Sequence, residues 1–121
     1  MDLKHERNGN GKNSCFVEQT VQVIGGRWKL LILKNLFSNT LRFSELQRAI
    51  PAVSQRMLTQ QLRELEADGI ISRKVYPQVP PKVEYSQTEL GESLGPILEA
   101  MNAWGEDFVA GKKANPEQES A

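Results

Sequence analysis

One cysteine, one histidine and no net charge among 121 residues each remove a class of function. A lone Cys15 cannot build an internal disulfide framework, which suits a reducing compartment. The single histidine, His5, stands in an Asn- and Gly-rich stretch, and no Cys/His/Asp cluster with metal-ligand spacing accompanies it. "IGGRWK" lacks the G-x-x-x-x-G-K-[S/T] form of a phosphate loop, and no pair of carboxylates suggests acid–base work. Neither an enzyme nor a metal or other cofactor is expected. No apolar run reaches the roughly eighteen residues of a membrane helix, and "MDLKHERNGNGKNS" has no apolar stretch behind its charges. The expectation is a cytoplasmic chain without membrane contact.

Zero net charge conceals a strong polarity. From Arg27 to Lys82 there are ten basic residues against four acidic ones, whereas from Glu84 onward there are eight acidic and two basic. A polyanionic partner therefore suits the middle of the chain and not its end. The apolar fraction of 39% and charged fraction of 25% are those of a globular protein, and the length allows one core.

Residues 1–13 read as a flexible N-terminal arm, and order is expected from Ser14, a candidate N-cap, through residue 111. Val17, Thr20, Val21 and Ile24 recur at helical spacing until Gly25-Gly26 interrupts them. "RWKLLILKNLF" is apolar around most of its circumference, as a buried helix would be, with Trp28 supplying area to the core. "SNTLRF" reads as a turn, and Ser44 with Gln47 fits a capping box for the short helix "ELQRAI", which Pro51 closes. Ser54 then caps a helix over about 54–68, in which Leu58, Leu62 and Leu65 share a narrow stripe while Arg56, Thr59, Gln60 and Arg63 lie opposite. Gly69 ends it. "IISRKVYP" and "KVEYSQ" form two strands over about 70–87, joined by a proline-bearing loop.

Thr88 caps a last helix over about 88–110, whose Leu90, Leu94, Ile97, Met101, Trp104 and Phe108 keep heptad spacing. Gly95-Pro96 should kink or divide it, and 112–121 reads as a flexible tail. The fold class is mainly α with a two-stranded β-hairpin wing: a winged helix-turn-helix with a long, kinked C-terminal dimerisation helix.

Such a fold sets its second motif helix in the major groove, where Arg reaches guanine and Gln the edge of adenine. Gln55, Arg56, Thr59 and Gln60 are the candidate base readers. Ser54, Arg63, Arg73, Lys74 and Lys82 are candidate phosphate contacts, which position a protein without specifying sequence. A merely solvated helix face is the plainer alternative for the polar stripe. Arg42, Arg48, Arg27 and Lys29 stand between backbone contact and plain solubility or a surface salt bridge. Leu90, Leu94, Ile97, Met101, Trp104 and Phe108, with Val17, are the candidate dimerisation residues, although the last helix could instead cover its own domain. A two-fold homodimer would place its reading helices about 34–36 Å apart on double-stranded DNA with an inverted-repeat operator. A winged-helix module that binds a protein or a small ligand, without a physiological operator, is the alternative function.

The segments "IGGRWK", "RFSEL", "SQRMLTQQLRELEADG" and "VYPQVPPKVEYS", with the closing "WGEDF", together resemble the HxlR family of bacterial transcription regulators, which is related to MarR. The resemblance spans roughly Cys15 to Phe108. It implies a dimeric DNA-binding fold, control of nearby genes as repressor or less often activator, and frequent response to electrophiles, oxidants or aldehydes. It also matches Cys15 to a cysteine that redox-sensing relatives place at the start of their first helix, with Phe16 here where many have Pro. Cys15 is thus a candidate redox sensor, open to a small electrophile or to an inter-subunit disulfide; an inert interface hydrophobe is the other possibility.

Overall fold

Leu58, Leu62 and Leu65 leave solvent almost completely, as do Ile32, Leu33, Leu36, Leu46 and Ile71, and the spacing of this set dictates how the chain packs. The computed structural model describes residues 15–114; the expected N-terminal arm and the Ser14 cap lie outside the described residues. Element order is α1 (Phe16–Ile24), α2 (Arg27–Leu36), β1 (Leu41–Arg42), α3 (Phe43–Ala49), α4 (Gln55–Ala67), β2 (Ile71–Tyr76), β3 (Lys82–Gln87), α5 (Glu89–Glu92) and α6 (Gly95–Ala114). Helices α2, α3 and α4 enclose the core, and the antiparallel sheet closes it from one side. This is a winged helix-turn-helix.

The wing has a third strand. Leu41 and Arg42, expected in a turn, pair with Tyr85 and Glu84, so the strand order is β1-β3-β2. That pairing satisfies the edge of β3 that a hairpin alone leaves open. It also moves the start of α3. Arg42 becomes the residue before the helix, its N–H donating to Glu45 Oε1 at 2.8 Å. Ser44 therefore lies inside the first turn, and the Ser44/Gln47 box does not form. Gln47 instead donates its Nε2 to the Val53 carbonyl at 2.6 Å, bracing the turn between α3 and α4. Buried Ile50 and Val53 anchor both sides of that turn.

Helix α4 starts and stops where side chains dictate. Ser54 Oγ accepts from Met57 N–H at 3.0 Å, a cap worth about 1 kcal/mol. At the other end Ile70 N–H reaches the Leu65 carbonyl and Gly69 N–H that of Glu66, a Schellman closure. Gly69 sits at φ 76°, a conformation that costs an L side chain roughly 1–2 kcal/mol. The hydroxyl of Thr88 accepts from Gly91 N–H at 3.0 Å and lies 2.6 Å from the Gly69 carbonyl. It fastens the start of α5 to the end of α4. A Cβ on buried Gly91 would collide with the Ile70 carbonyl, so glycine lets the two segments touch.

The last segment divides into two helices at Ser93-Leu94, and Gly95-Pro96 opens the second, where the missing proline N–H costs nothing. Leu90 consequently lies on four-residue α5 and is separated from the stripe on α6. Leu94, expected at a subunit seam, is 8% exposed and belongs to this domain's own core. Helix α6 runs on to Ala114, past the expected start of the tail at residue 112; Ala and Lys favour helix, and cations suit its C-terminal end.

Candidate nucleic-acid interface

Periodicity and burial together divide α4 into two faces. Leu58, Leu62 and Leu65 point into the core, whereas Gln55, Arg56, Gln60 and Arg63 are exposed and Thr59 is half-buried. Thr59 Oγ1 donates to the Gln55 carbonyl at 2.9 Å. Gln60 Nε2 donates to Glu64 Oε2 at 3.2 Å. The four candidate base readers are thus brought together on the first two turns of one helix, beside the Ser54 cap.

Their helix is held from three directions. Its leucines pack into the shared core, with α2 and β2 as its main neighbours. Glu64 Oε1 meets Lys29 Nζ of α2 at 2.7 Å, and Lys29 is only 8% exposed. On the sheet side Arg73 Nε faces Glu66 Oε1 at 3.4 Å. Lys29 is therefore neither a backbone contact nor a surface cation; it is an inter-helix tie that its long stem reaches through apolar surroundings. That tie holds the Glu64 carboxyl below the usual carboxylate range, and the Gln60 hydrogen bond adds to the effect.

Strand register sorts the wing's cations onto two faces. Arg73 pairs with Tyr85 and points to the side of α4. With Thr59, Leu62, Arg63, Glu66 and Tyr85 it lines a polar recess of about 240 Å³. Burial there pushes the Tyr85 hydroxyl pKa up. Lys74, Tyr76, Lys82 and Glu84 occupy the other face, with Arg42 of β1 opposite Glu84. Tyr76 donates to Glu84 Oε1 at 2.8 Å, and Lys82 Nζ lies 3.4 Å from Glu84 Oε2. Lys74 and Lys82 both lie over the Tyr76 ring, 5.0 and 4.7 Å from its centroid. The Tyr76 hydrogen bond is the main reason the Glu84 carboxyl titrates below the ordinary range. One carboxylate among Arg42, Lys74 and Lys82 leaves this face with a cationic surplus. The wing's tip, with Val79 fully in solvent, is loop and carries no cation of its own between Pro77 and Pro81.

A second exposed surface is apolar. On α6 Ile97, Met101, Trp104, Phe108 and Val109 face solvent, Trp104 stacked on Phe108 with ring centroids 5.2 Å apart. On α1 Phe16, Val17 and Val21 do the same, and of that helix Ile24 alone is buried. Cys15 is half-buried at the N-cap position of α1.

A model of the HxlR-like helix-turn-helix matches residues 23–113. The chain belongs to that family. It is 56% identical over 108 residues to the HTH-type transcriptional regulator YkvN of Bacillus subtilis (strain 168), covering 89% of this chain and 92% of the relative. A crystal structure of the HTH-type regulator ytcD superposes with a TM-score of 0.75 at 56% identity, over 78% of this chain and 96% of that one. The redox regulator HypR in its oxidised form gives a TM-score of 0.73 at 56% identity, over 77% and 96%. At the level of the family this chain is a helix-turn-helix transcriptional regulator. Among the described residues no helix is long and apolar enough to cross a membrane.

Three contributors to this candidate interface escaped the sequence pattern. Gln47 braces the turn, Glu66 engages Arg73, and the Lys29–Glu64 pair locks α4 onto α2. The i,i+4 spacing of Gln60 and Glu64 was the one local signal available.

Proposed function

We propose that the protein is a homodimeric repressor that reads an inverted-repeat operator in double-stranded DNA, with α4 in the major groove and the wing on phosphates. The observation that carries this assignment is the division of α4: three leucines locked inside, and Gln55, Arg56, Thr59 and Gln60 together on the outward face. Ser54, Arg63 and Arg73 flank that face, and Lys74 and Lys82 supply phosphate contacts from the opposite face of the wing. The apolar faces of α1 and α6 are the subunit seam, formed by Val17, Ile97, Met101, Trp104 and Phe108. Burying such side chains favours association by about 1.5–3 kcal/mol each, and an isologous pairing presents the two reading helices with two-fold symmetry.

Gel shift with the protein's own upstream region against a random duplex, over a salt series, tests this. A salt-sensitive complex that prefers the upstream region is the expected result. Lys82→Ala weakens both complexes alike and lowers the salt slope by about 0.9; a loss confined to the preferred duplex removes Lys82 as a phosphate contact. The apolar groove of about 520 Å³ between α2 and α6, lined by Leu30, Leu33, Phe37, Leu98 and Met101, favours a small-ligand or protein-binding module as the second reading. Absence of any sequence-preferring complex would decide for it.

Cys15 at the head of α1 is the proposed sensor, supported by the similarity to the redox regulator HypR. Two Cys15 thiols, one from each protomer, would surrender two electrons and two protons to an oxidant such as diamide and join as a disulfide; alternatively one thiol adds to a small electrophile. Diamide or a quinone should change operator affinity in the wild type and leave Cys15→Ser unchanged. Equal responses exclude Cys15 as the switch.

A further inference from the structure

Glu64 is engaged by donors on two sides of α4. Its Oε1 meets the buried ammonium of Lys29 at 2.7 Å, beneath the helix, and its Oε2 accepts from Gln60 Nε2 at 3.2 Å, on the outward face. An ionised carboxylate only accepts hydrogen bonds. Turning the Gln60 amide over would set its carbonyl oxygen against a carboxylate oxygen, two acceptors with no proton between them. The chemistry of Glu64 therefore decides which end of the amide faces inward: nitrogen toward Glu64, oxygen toward solvent. Lys29 in turn decides where Glu64 stands, because a nearly buried ammonium has no comparable partner among the side chains described around it and would be costly to strand.

We propose that Lys29 and Glu64 are positioning residues for base recognition, a relay that fixes the sense of the Gln60 amide so that it selects adenine. With nitrogen held inward, Oε1 is presented outward as an acceptor and one N–H of Nε2 remains uncommitted. An acceptor beside a donor matches adenine, which offers the N6 amino group next to N7. Guanine presents O6 and N7, acceptors both, and thymine presents O4, so each meets the outward carbonyl oxygen with like polarity. This deepens the DNA-reading assignment of α4 and rests on it.

The test is selection of duplexes from a randomised library by the full-length wild type and by Gln60→Ala, Lys29→Met, Glu64→Gln and Lys29→Arg, with the melting temperature of each variant measured alongside. The wild type is expected to select adenine at one position of each half-site, and Gln60→Ala to lose the preference there, which identifies the position. Lys29→Met and Glu64→Gln should lower the adenine-to-guanine ratio at that position by about tenfold, the scale of one bidentate base contact, with binding to random duplex retained. Lys29→Arg, which keeps the cation, restores the ratio. A purely structural ion pair would lower stability, or affinity for all duplexes alike, and would leave base ratios untouched. The relay is overturned if folded Lys29→Met and Glu64→Gln proteins keep the wild-type adenine preference, or if Gln60→Ala changes no position. A wild type that selects no sequence overturns the DNA-reading assignment itself, and is recognisable as that separate failure.

Discussion

Replacing Trp104 by Ala separates the stability of one protomer from that of the pair. Within the protomer Trp104 is 68% exposed and, among the described residues, its ring partner is Phe108, stacked at 5.2 Å. Its removal there forfeits an exposed aromatic contact worth about 1 kcal/mol or less. In a dimer built on α6 the same ring would lose most of its exposed area. A Trp presents roughly 250 Å², so about 170 Å² becomes available for burial, about 4 kcal/mol at 25 cal/mol/Å². Halving that for incomplete cover, and for the area an Ala still buries, leaves about 2 kcal/mol per copy, within the usual range for an interface anchor. A two-fold seam contains the residue twice, so the substitution should weaken dimerisation by about 4 kcal/mol, roughly a thousandfold. Sedimentation velocity over a dilution series reads this directly, with thermal melting of the dilute protein as control. Wild-type sedimentation by Trp104→Ala at every concentration would refute the seam on α6, whatever its effect on melting.

Further expectations concern the scaffold of α4, the proposed reading helix. Leu58→Ala empties a fully buried site under α4 and should cost about 2–5 kcal/mol in denaturant unfolding; a loss below 1 kcal/mol would mean that α4 is not seated by its leucine stripe. Gly69→Ala forces a side chain to φ 76° and should cost about 1 kcal/mol, measured the same way; a neutral result would contradict the Schellman closure. The carboxyls of Glu64 and Glu84 titrate below their ordinary range when folded. Each therefore stabilises the fold above about pH 4.3 and loses that contribution as pH falls through its folded value. Glu64→Gln and Glu84→Gln should accordingly flatten the acid limb of melting temperature against pH. Tyr85 is shifted upward, so its contribution is complete below about pH 10 and fades above it; Tyr85→Phe should flatten the alkaline limb, and an unchanged limb would exclude burial of the hydroxyl as its cause.

The parts legible in the sequence are those set by local chemistry. A stripe of leucines with a polar face opposite specifies which side of α4 is buried, Ser54 and Gly69 mark its ends, and Thr88 marks the next start. Contacts between segments distant in the chain were not legible. A two-residue strand has no period, so β1 could be seen only through its partners on β3. The cap of α3 depends on a side chain reaching back from Glu45 to a backbone N–H, which a search for hydroxyl caps overlooks. Heptad spacing is the same for a helix facing its own core as for one facing a partner, which is why Leu94 looked equivalent to Ile97 although one is buried and the other exposed. Lys29 in "RWKLL" stood between backbone contact and a surface salt bridge, and its partner could not be named because nothing nearby in sequence announces Glu64, more than thirty residues on.

On the proposed DNA-reading assignment, net neutrality of the chain and a polyanionic partner are reconciled by where the acids stand. Glu64 and Glu66 on α4 and Glu84 on the wing are each already engaged: by Lys29, by Arg73, and by Tyr76 with Lys82. A phosphate approaching Arg73 or Lys82 thus meets a cation partly neutralised in advance, and must share it with a carboxylate. Attraction common to all sequences is weakened by that arrangement, since it scales with the charge available to displace counterions. The same carboxylates immobilise the side chains they hold, through the Glu64 grip on Gln60 and the Glu66 grip on Arg73. Preorganised donors and acceptors lose less freedom when a base edge or a phosphate is met. For a regulator that must find one site among many non-specific ones, lowering the general attraction while stiffening the reading face raises the ratio that matters, specific to non-specific affinity, from both directions.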